Sequence, residues 1–173
     1  MTKIVQSEQV YQGKAFSVQR KQIHFPDDRL RYFDCVEHPG AVTLVPVDAA
    51  GRIVFVSQYR VGVEGNLLEL PAGTLEKGEA PDFCAAREIR EEIGMAAGNL
   101  QKIGAFYMAP GYSTEFLHIY LATNLYAAPL DGDEDEFIKI EALPVEQVYR
   151  MVKQGEIQDG KTLASLLLAQ PYL

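Results

Sequence analysis

Glu88, Glu91 and Glu92 stand three and four residues apart in a stretch that reads as helix. On an α-helix those positions share one face. Like charges so placed repel and destabilise an isolated helix. A hard divalent cation, Mg²⁺ or Mn²⁺, takes oxygen ligands and would offset that repulsion. The acids do not stand alone: Gly73, Glu79, Arg87, Ile89, Gly94 and Met95 surround them at set intervals. A solvated acidic face, which is what most charge runs are, explains neither the glycines nor the arginine. Cations held this way neutralise phosphate oxygens, lower the pKa of bound water and stabilise a leaving oxygen. Hydrolysis of a pyrophosphate needs such help, because its own anionic oxygens repel a nucleophile.

A second acidic run, Asp131-Gly132-Asp133-Glu134-Asp135-Glu136, precedes Phe137-Ile138-Lys139-Ile140. Its glycine and distant glutamate are misplaced for an EF-hand loop. By itself it reads as a solvated loop. Glu134 and Glu136 are two apart, so in extended backbone they point to the same side. Arg60 carries a planar fork suited to phosphate or ribose oxygens, against the reading of a surface strand arginine. A nucleobase needs an aromatic platform, for which Phe16, Tyr32 and Tyr112 are candidates, although strand aromatics are mostly core. The histidines His24, His38 and His118 are scattered and read as strand or loop residues, which leaves no zinc pattern. Cys84 falls near the acidic face and reads as a small packing residue beneath it.

These groups need elements to position them. Val10 to Val18 and Lys21 to His24 read as strands, with a turn at Pro26-Asp27-Asp28 and a return strand from Leu30 to Val36. Apolar runs follow at Ala41 to Val47 and Ile53 to Tyr59, joined by the hairpin signal Asp48-Ala49-Ala50-Gly51-Arg52. Asn66 to Leu70 is a short strand. Pro81 suits a first helical turn and Gly94 a left-handed stop. Ala85, Ala86, Ile89 and Ile93 supply the helix's apolar side, with the glutamates roughly opposite Ala86 and Ile93. Strands at Gln101 to Tyr107, Phe116 to Ala122 and Phe137 to Ala142 come next, then helices at Pro144 to Gln154 and Gly160 to Ala169. This order predicts an α/β fold, a mixed sheet sandwiched between helices.

The 173 residues are enough for one domain with a sizeable core, and 47% hydrophobic content with 23% charged is ordinary for a soluble globular chain. The net charge of −8 argues against non-specific binding to nucleic acid or anionic membrane, which needs a basic surface. A small phosphorylated ligand stays open, since a bound metal inverts the local field. Two cysteines make no disulfide framework, and neither a signal peptide nor a membrane span is visible. A cytoplasmic, reducing setting is the resulting expectation.

Residues 73–95 resemble the Nudix box, the signature of hydrolases that cleave nucleoside diphosphates linked to another group, and match every fixed position of it. Gln58-Tyr59-Arg60, Leu68-Glu69-Leu70-Pro71-Ala72-Gly73, Pro110 sixteen residues after Gly94, Ala-Pro-Gly-Tyr-Ser and Gly155-Glu156-Ile157 resemble the subgroup that hydrolyses ADP-ribose and other nucleoside diphosphate sugars. The likeness runs from about Tyr32 onward and departs at Ala109, where many relatives carry serine.

The resemblance implies a Nudix α/β/α sandwich with a mixed sheet over 41–173, and an antiparallel strand extension over 1–40 that is exchanged between subunits of a homodimer. It implies Mg²⁺ (or Mn²⁺) with Glu88, Glu91 and Glu92 as its ligands or as groups supporting them, often joined by the carbonyl of Ala72, and it counts Glu91 among the catalytic residues as well. Glu79 and Arg87 match mainly structural positions, and Arg87 can pair with Glu91. The acidic run implies a catalytic base and a further ligand: Glu136 as ligand or base, and Glu134 as the other. Arg60 and Glu115 would meet the substrate's phosphate or ribose and its terminal sugar, although Glu69 could instead hold a structural pair. The rival activities are a house-cleaning nucleoside triphosphate or dinucleoside polyphosphate hydrolase and, outside enzymes, a nucleotide-sensing module.

Overall fold

The computed structural model describes residues 1–14, 16–132 and 137–173. Three strands open the chain: β1 (Lys3–Gln12), β2 (Ser17–His24) and β3 (Leu30–Glu37), an antiparallel sheet in that order. The expected strand from Val10 to Val18 is divided, because Gly13 donates its N–H to the Phe16 carbonyl at 2.9 Å and turns the chain. The predicted turn at Pro26-Asp27-Asp28 is present, with Asp28 at φ 61°. All of β1 is exposed. Ile4, Tyr11 and Phe33 thus present apolar surface to solvent.

The body of the fold is built on β4 (Ala41–Pro46), buried along its whole length. It lies between β7 (Ala72–Thr74) and β9 (Phe116–Ala127), and β8 (Met95–Tyr107) completes the order β7-β4-β9-β8. The β4–β9 pair is parallel and the others antiparallel, so the sheet is mixed as expected. A second sheet, β10-β5-β6, joins β5 (Arg52–Arg60) to β6 (Gly65–Glu69) and β10 (Lys139–Pro144). The segment 48–52 is a tight turn, with Asp48 Oδ1 accepting the N–H groups of Ala50 and Arg52, each at 2.9 Å. It is not a hairpin between paired strands. Both edges of β4 are taken by β7 and β9, so β5 passes into the other sheet and meets the β4 side only at the Val47–Ile53 bridge.

Period-two alternation along β4 divides the core. Val42 and Leu44 pack with Ile89, Cys84 and Tyr120 under helix α1 (Pro81–Ile93). Ala41 and Val45 face Phe55, Ile119 and Leu166 under α2 (Val145–Gln154) and α3 (Gly160–Ala169). Each large side chain buried there contributes roughly 1.5–3 kcal/mol.

Gly94, at φ 69°, ends α1 by donating its N–H to the Arg90 carbonyl at 3.1 Å. The chain enters β8 at once, six residues before the expected strand at Gln101. The last strand starts later than expected: Phe137 lies outside it and is exposed. One feature of α1 departs from the simple amphipathic reading. Its buried side carries Glu88 and Glu92 together with Ala85, Ile89 and Ile93, while Ala86 stays outside the core.

Candidate active site

The burial of those two carboxylates has a local cause. Strand β7 runs beneath α1, and Gly73 faces Glu88 so closely that a Cβ built on the glycine would lie 1.8 Å from the Glu88 carboxyl carbon. The glycine is required for space. One residue earlier, the Ala72 N–H donates to Glu92 Oε2 at 3.0 Å. Glu88 is 8% exposed and Glu92 6%. Carboxylates are so deeply buried almost only when paired.

Arg87 ties the neighbouring acids together. Its Nε and Nη2 donate to the two carboxylate oxygens of Glu79 at 3.0 and 2.9 Å. Its Nη1 donates to Glu88 at 2.6 Å and to Glu91 at 2.8 Å, and Nη2 also reaches the Thr74 carbonyl at 3.3 Å. A planar fork with five donors is the group for this task. The Glu79 carboxyl is held down at about 2, chiefly by its bonds from Arg87. The same bonds raise Arg87 beyond its ordinary value. Cys84 lies beneath, fully buried, and burial with the nearby charge of Glu88 pushes its thiol up to about 12. It is a packing residue, as the sequence suggested.

Ala72, Gly73, Arg87, Glu88 and Glu91 line an open cleft of about 590 Å³. Arg60 lines it too, gripped by Glu69 through Nε at 2.8 Å and Nη2 at 2.7 Å. Glu69 is 1% exposed. Burial pushes its carboxyl up, but the bonds from Arg60 and Lys161 outweigh that and leave it below the usual range. Lys161 bonds to Glu69 and pairs with Asp159 at 3.1 Å. Asp159 also caps α3, accepting the Thr162 N–H at 2.9 Å. The sequence reading missed Lys161. A lone lysine on the first turn of a helix has no local signature; the bond from the Leu70 N–H to Thr162 Oγ1, at 2.8 Å, helps carry that turn to the cleft.

Glu115 lines the cleft, and so does His38, which read as an ordinary strand or loop histidine. The structure does not bring Phe16, Tyr32 or Tyr112 to the cleft lining. Tyr32 lies on the N-terminal sheet, taking a bond from Gln22 Nε2 at 2.7 Å, and Tyr112 is exposed. The reason is the way that sheet joins the body. Val36 bonds to the Tyr112 carbonyl at 2.8 Å and accepts the Thr114 N–H at 2.9 Å, so β1 and β2 project outward beyond it. Glu134 and Glu136 lie outside the described residues.

A divalent cation fits the donors present. They are anionic oxygens, the hard set that Mg²⁺ prefers, and the space left by Gly73 lets the Glu88 carboxylate lie against the strand. Among the described residues no three such side chains converge on one point unaided. Arg87 stands between Glu88 and Glu91, and Glu92 is turned to Ala72.

The family model of the NUDIX domain matches residues 37–166. The chain belongs to the Nudix family, whose hydrolases generally depend on a divalent cation. It is 36% identical over 170 residues to an ADP-ribose pyrophosphatase of Bacillus subtilis, covering 97% of this chain and 92% of that one. It is 34% identical over 172 residues to a methanol dehydrogenase activator of Bacillus methanolicus, again covering 97% and 92%. A solved structure described as an ADP compounds hydrolase superposes with a TM-score of 0.88 at 25% identity, over 99% of this chain and 94% of the other. No helix among the described residues is long and apolar enough to cross a membrane.

Proposed function

We propose that this chain is a Mg²⁺-dependent hydrolase that splits ADP-ribose or a related nucleoside diphosphate sugar into a nucleoside monophosphate and a sugar phosphate. The observation that carries this is the buried carboxylate of Glu88, set against Gly73 in a cleft that Arg60 and Lys161 also line, with Glu92 buried one helical turn on and bonded to Ala72. Such a cleft offers both oxygen ligands for a cation and donors for phosphate oxygens. The B. subtilis relative supports the substrate class.

Glu88, Glu91, Glu92 and the Ala72 carbonyl would hold the cation, joined by Glu136 on the sequence reading. When bound, it supplies charge neutralisation on the phosphates and a more acidic water. The remaining work falls to the chain. Glu69 holds Arg60 by Nε and Nη2, which leaves Nη1 to donate to a phosphate oxygen. Glu134 or Glu136 takes the proton of the attacking water. Arg87 holds the Glu88 and Glu91 carboxylates in place. Glu115 accepts from the terminal sugar.

Phe16, Tyr32 and Tyr112 would serve a base only through a second copy. The solvent-exposed apolar residues of β1 and β3 support a homodimer formed there. Sedimentation as a monomer at micromolar concentration would refute it. The charge of −8 supports a small-molecule substrate and not a nucleic acid or membrane partner. The free Cys35 and Cys84 are consistent with a cytoplasmic, reducing setting.

The deciding experiment is product chromatography with ADP-ribose, GDP-mannose and dGTP in the presence of Mg²⁺. Release of a nucleoside monophosphate and a sugar phosphate is the expected result. Turnover of dGTP alone would move the chain to the triphosphate hydrolases. Tight binding without turnover of any substrate would make it a sensor.

A further inference from the structure

His38 lines one end of the cleft and has had no role so far. Its Nδ1 accepts the backbone N–H of Gly40 at 3.1 Å. A ring nitrogen that accepts carries no proton, so the neutral imidazole holds its proton on Nε2. The turn that makes this bond needs glycine. Gly40 has φ 100°, and a Cβ there would lie 3.1 Å from Leu75 and 3.2 Å from the Phe116 carbonyl. The backbone of His38 is fixed as well. Its N–H donates to Thr114 Oγ1 at 2.9 Å, and that hydroxyl lies 3.2 Å from the His38 carbonyl. The ring is therefore set by its surroundings, and the described residues offer no partner to Nε2–H.

Glu115 follows Thr114 and also lines the cleft, and the parallel pairing of Leu117 with Ala41 sets it beside the chain that leads from His38 into β4. That end thus holds one uncharged donor and one anionic acceptor. Its place along the cleft follows from strand register. Thr74 pairs with Ala41 and Ala72 with Thr43, so the chain before Ala41 lies beyond Thr74. At about 3.3 Å per residue, Thr74 is roughly 7 Å from Ala72. The cations Arg60 and Lys161 gather instead around Glu69, before Ala72 in the chain. A phosphate at the His38 end would be repelled by Glu115. A nucleobase there would find no Phe or Tyr among the lining residues to stack on. A sugar hydroxyl both accepts and donates, and so fits the pair.

We infer that His38 is a specificity-determining residue that donates Nε2–H to a hydroxyl of the substrate's terminal sugar, while Glu115 accepts from the same sugar. This rests on the reading of the cleft as a nucleoside diphosphate sugar site.

Two variants test it. His38→Asn keeps an acceptor near Nδ1 for Gly40 and removes the outer donor. His38→Gln restores an amide N–H near the position of Nε2. Kinetics are measured on ADP-ribose, or on whichever nucleoside diphosphate sugar the wild type turns over, with inhibition by each product. His38→Asn is expected to raise KM about three- to ten-fold, the worth of one neutral hydrogen bond, with kcat within about two-fold. Inhibition by the sugar phosphate should weaken by the same factor and inhibition by the nucleoside monophosphate should hold. His38→Gln should recover most of the loss. Should His38→Asn loosen the turn, the ratio between the two inhibitions still decides, because a loosened fold weakens both. Unchanged sugar phosphate inhibition, equal weakening of both, or weakening of the nucleotide arm alone overturns the role of His38. Wild-type inactivity on every nucleoside diphosphate sugar overturns the parent reading as well, and is seen before any variant is made.

Discussion

The helix–strand pair α1 and β7 and the N-terminal sheet invert the usual order of a folded chain in opposite ways. In the first, carboxylates are buried. In the second, Ile4, Tyr11 and Phe33 are left in solvent. Buried charge is costly unless paired, and exposed apolar surface forfeits the main driving force of folding. The first region meets its cost within the chain, through Arg87, the Ala72 N–H and the space at Gly73. The second is compensated only in part among the described residues, by the ring contacts of Tyr11 with Phe16 and of Phe33 with Phe25. The difference separates a region whose cost is met by its own neighbours from one whose apolar surface is the basis of the proposed homodimer.

The sharpest way to break this contrast is at Glu92. Glu92→Gln keeps an oxygen to accept the Ala72 N–H and removes the charge. The fold should survive, with a melting temperature within a few degrees of wild type. On the metal reading, kcat should fall by roughly two to four orders of magnitude. Near-normal turnover would remove Glu92 from the chemistry and leave its burial as packing alone.

Gly73→Ala comes next. Its methyl would overlap the Glu88 carboxyl, so that group or the strand must shift. Overpacking of this kind costs about 1–3 kcal/mol. Activity should fall more than stability does, by roughly a hundred-fold, because the displaced carboxylate is also a ligand candidate. An active, fully stable Gly73→Ala would show that the glycine is not needed for space.

The other region yields a smaller effect. Replacing Ile4 and Tyr11 together with lysine adds charge to exposed positions and removes no contact from the body of the fold. If that sheet joins two copies, sedimentation should change from dimer to monomer. KM should rise by about ten-fold with the helix carboxylates untouched. A variant that sediments and turns over as wild type does would leave the apolar strand unexplained.

What could be read from the sequence differs between the two regions for a physical reason. The box around Glu88, Glu91 and Glu92 is local in the chain, and helix periodicity alone puts its acids on one face. The cap at Gly94 and the pairing of Arg87 with Glu91 are local too. His38 and Lys161 could not be read this way. They reach the cleft through contacts of long sequence separation, Thr114 with His38 and Thr162 with Leu70, which leave no periodic trace. The turn at Asp48–Arg52 misled for the same reason. Its local chemistry is that of a tight turn, but which strand β5 pairs with depends on β7 and β9 already flanking β4.

The weakest effect separates the two carboxylate roles within the first region. Glu79 is ionised by its bonds from Arg87 and holds no cation in this account, so its contribution belongs to stability. Its carboxyl falls from an ordinary 4.5 to about 2 in the folded chain. A depressed acid stabilises the fold in full above the unfolded value, and that contribution fades as pH falls from about 4.5 toward 2. Glu79→Gln should therefore lose about 2 kcal/mol at pH 7, the scale of a charge-assisted bond. It should also flatten part of the acid slope of stability between those pH values. Glu69, Asp27, Asp34 and Asp48, also depressed, keep part of the slope. Urea midpoints measured at pH 7, 4 and 3 check both effects. Parallel wild-type and variant profiles would mean that Arg87 draws its fixed position from Glu88 and Glu91 instead, and the structural acid and the ligand acids would no longer be distinct.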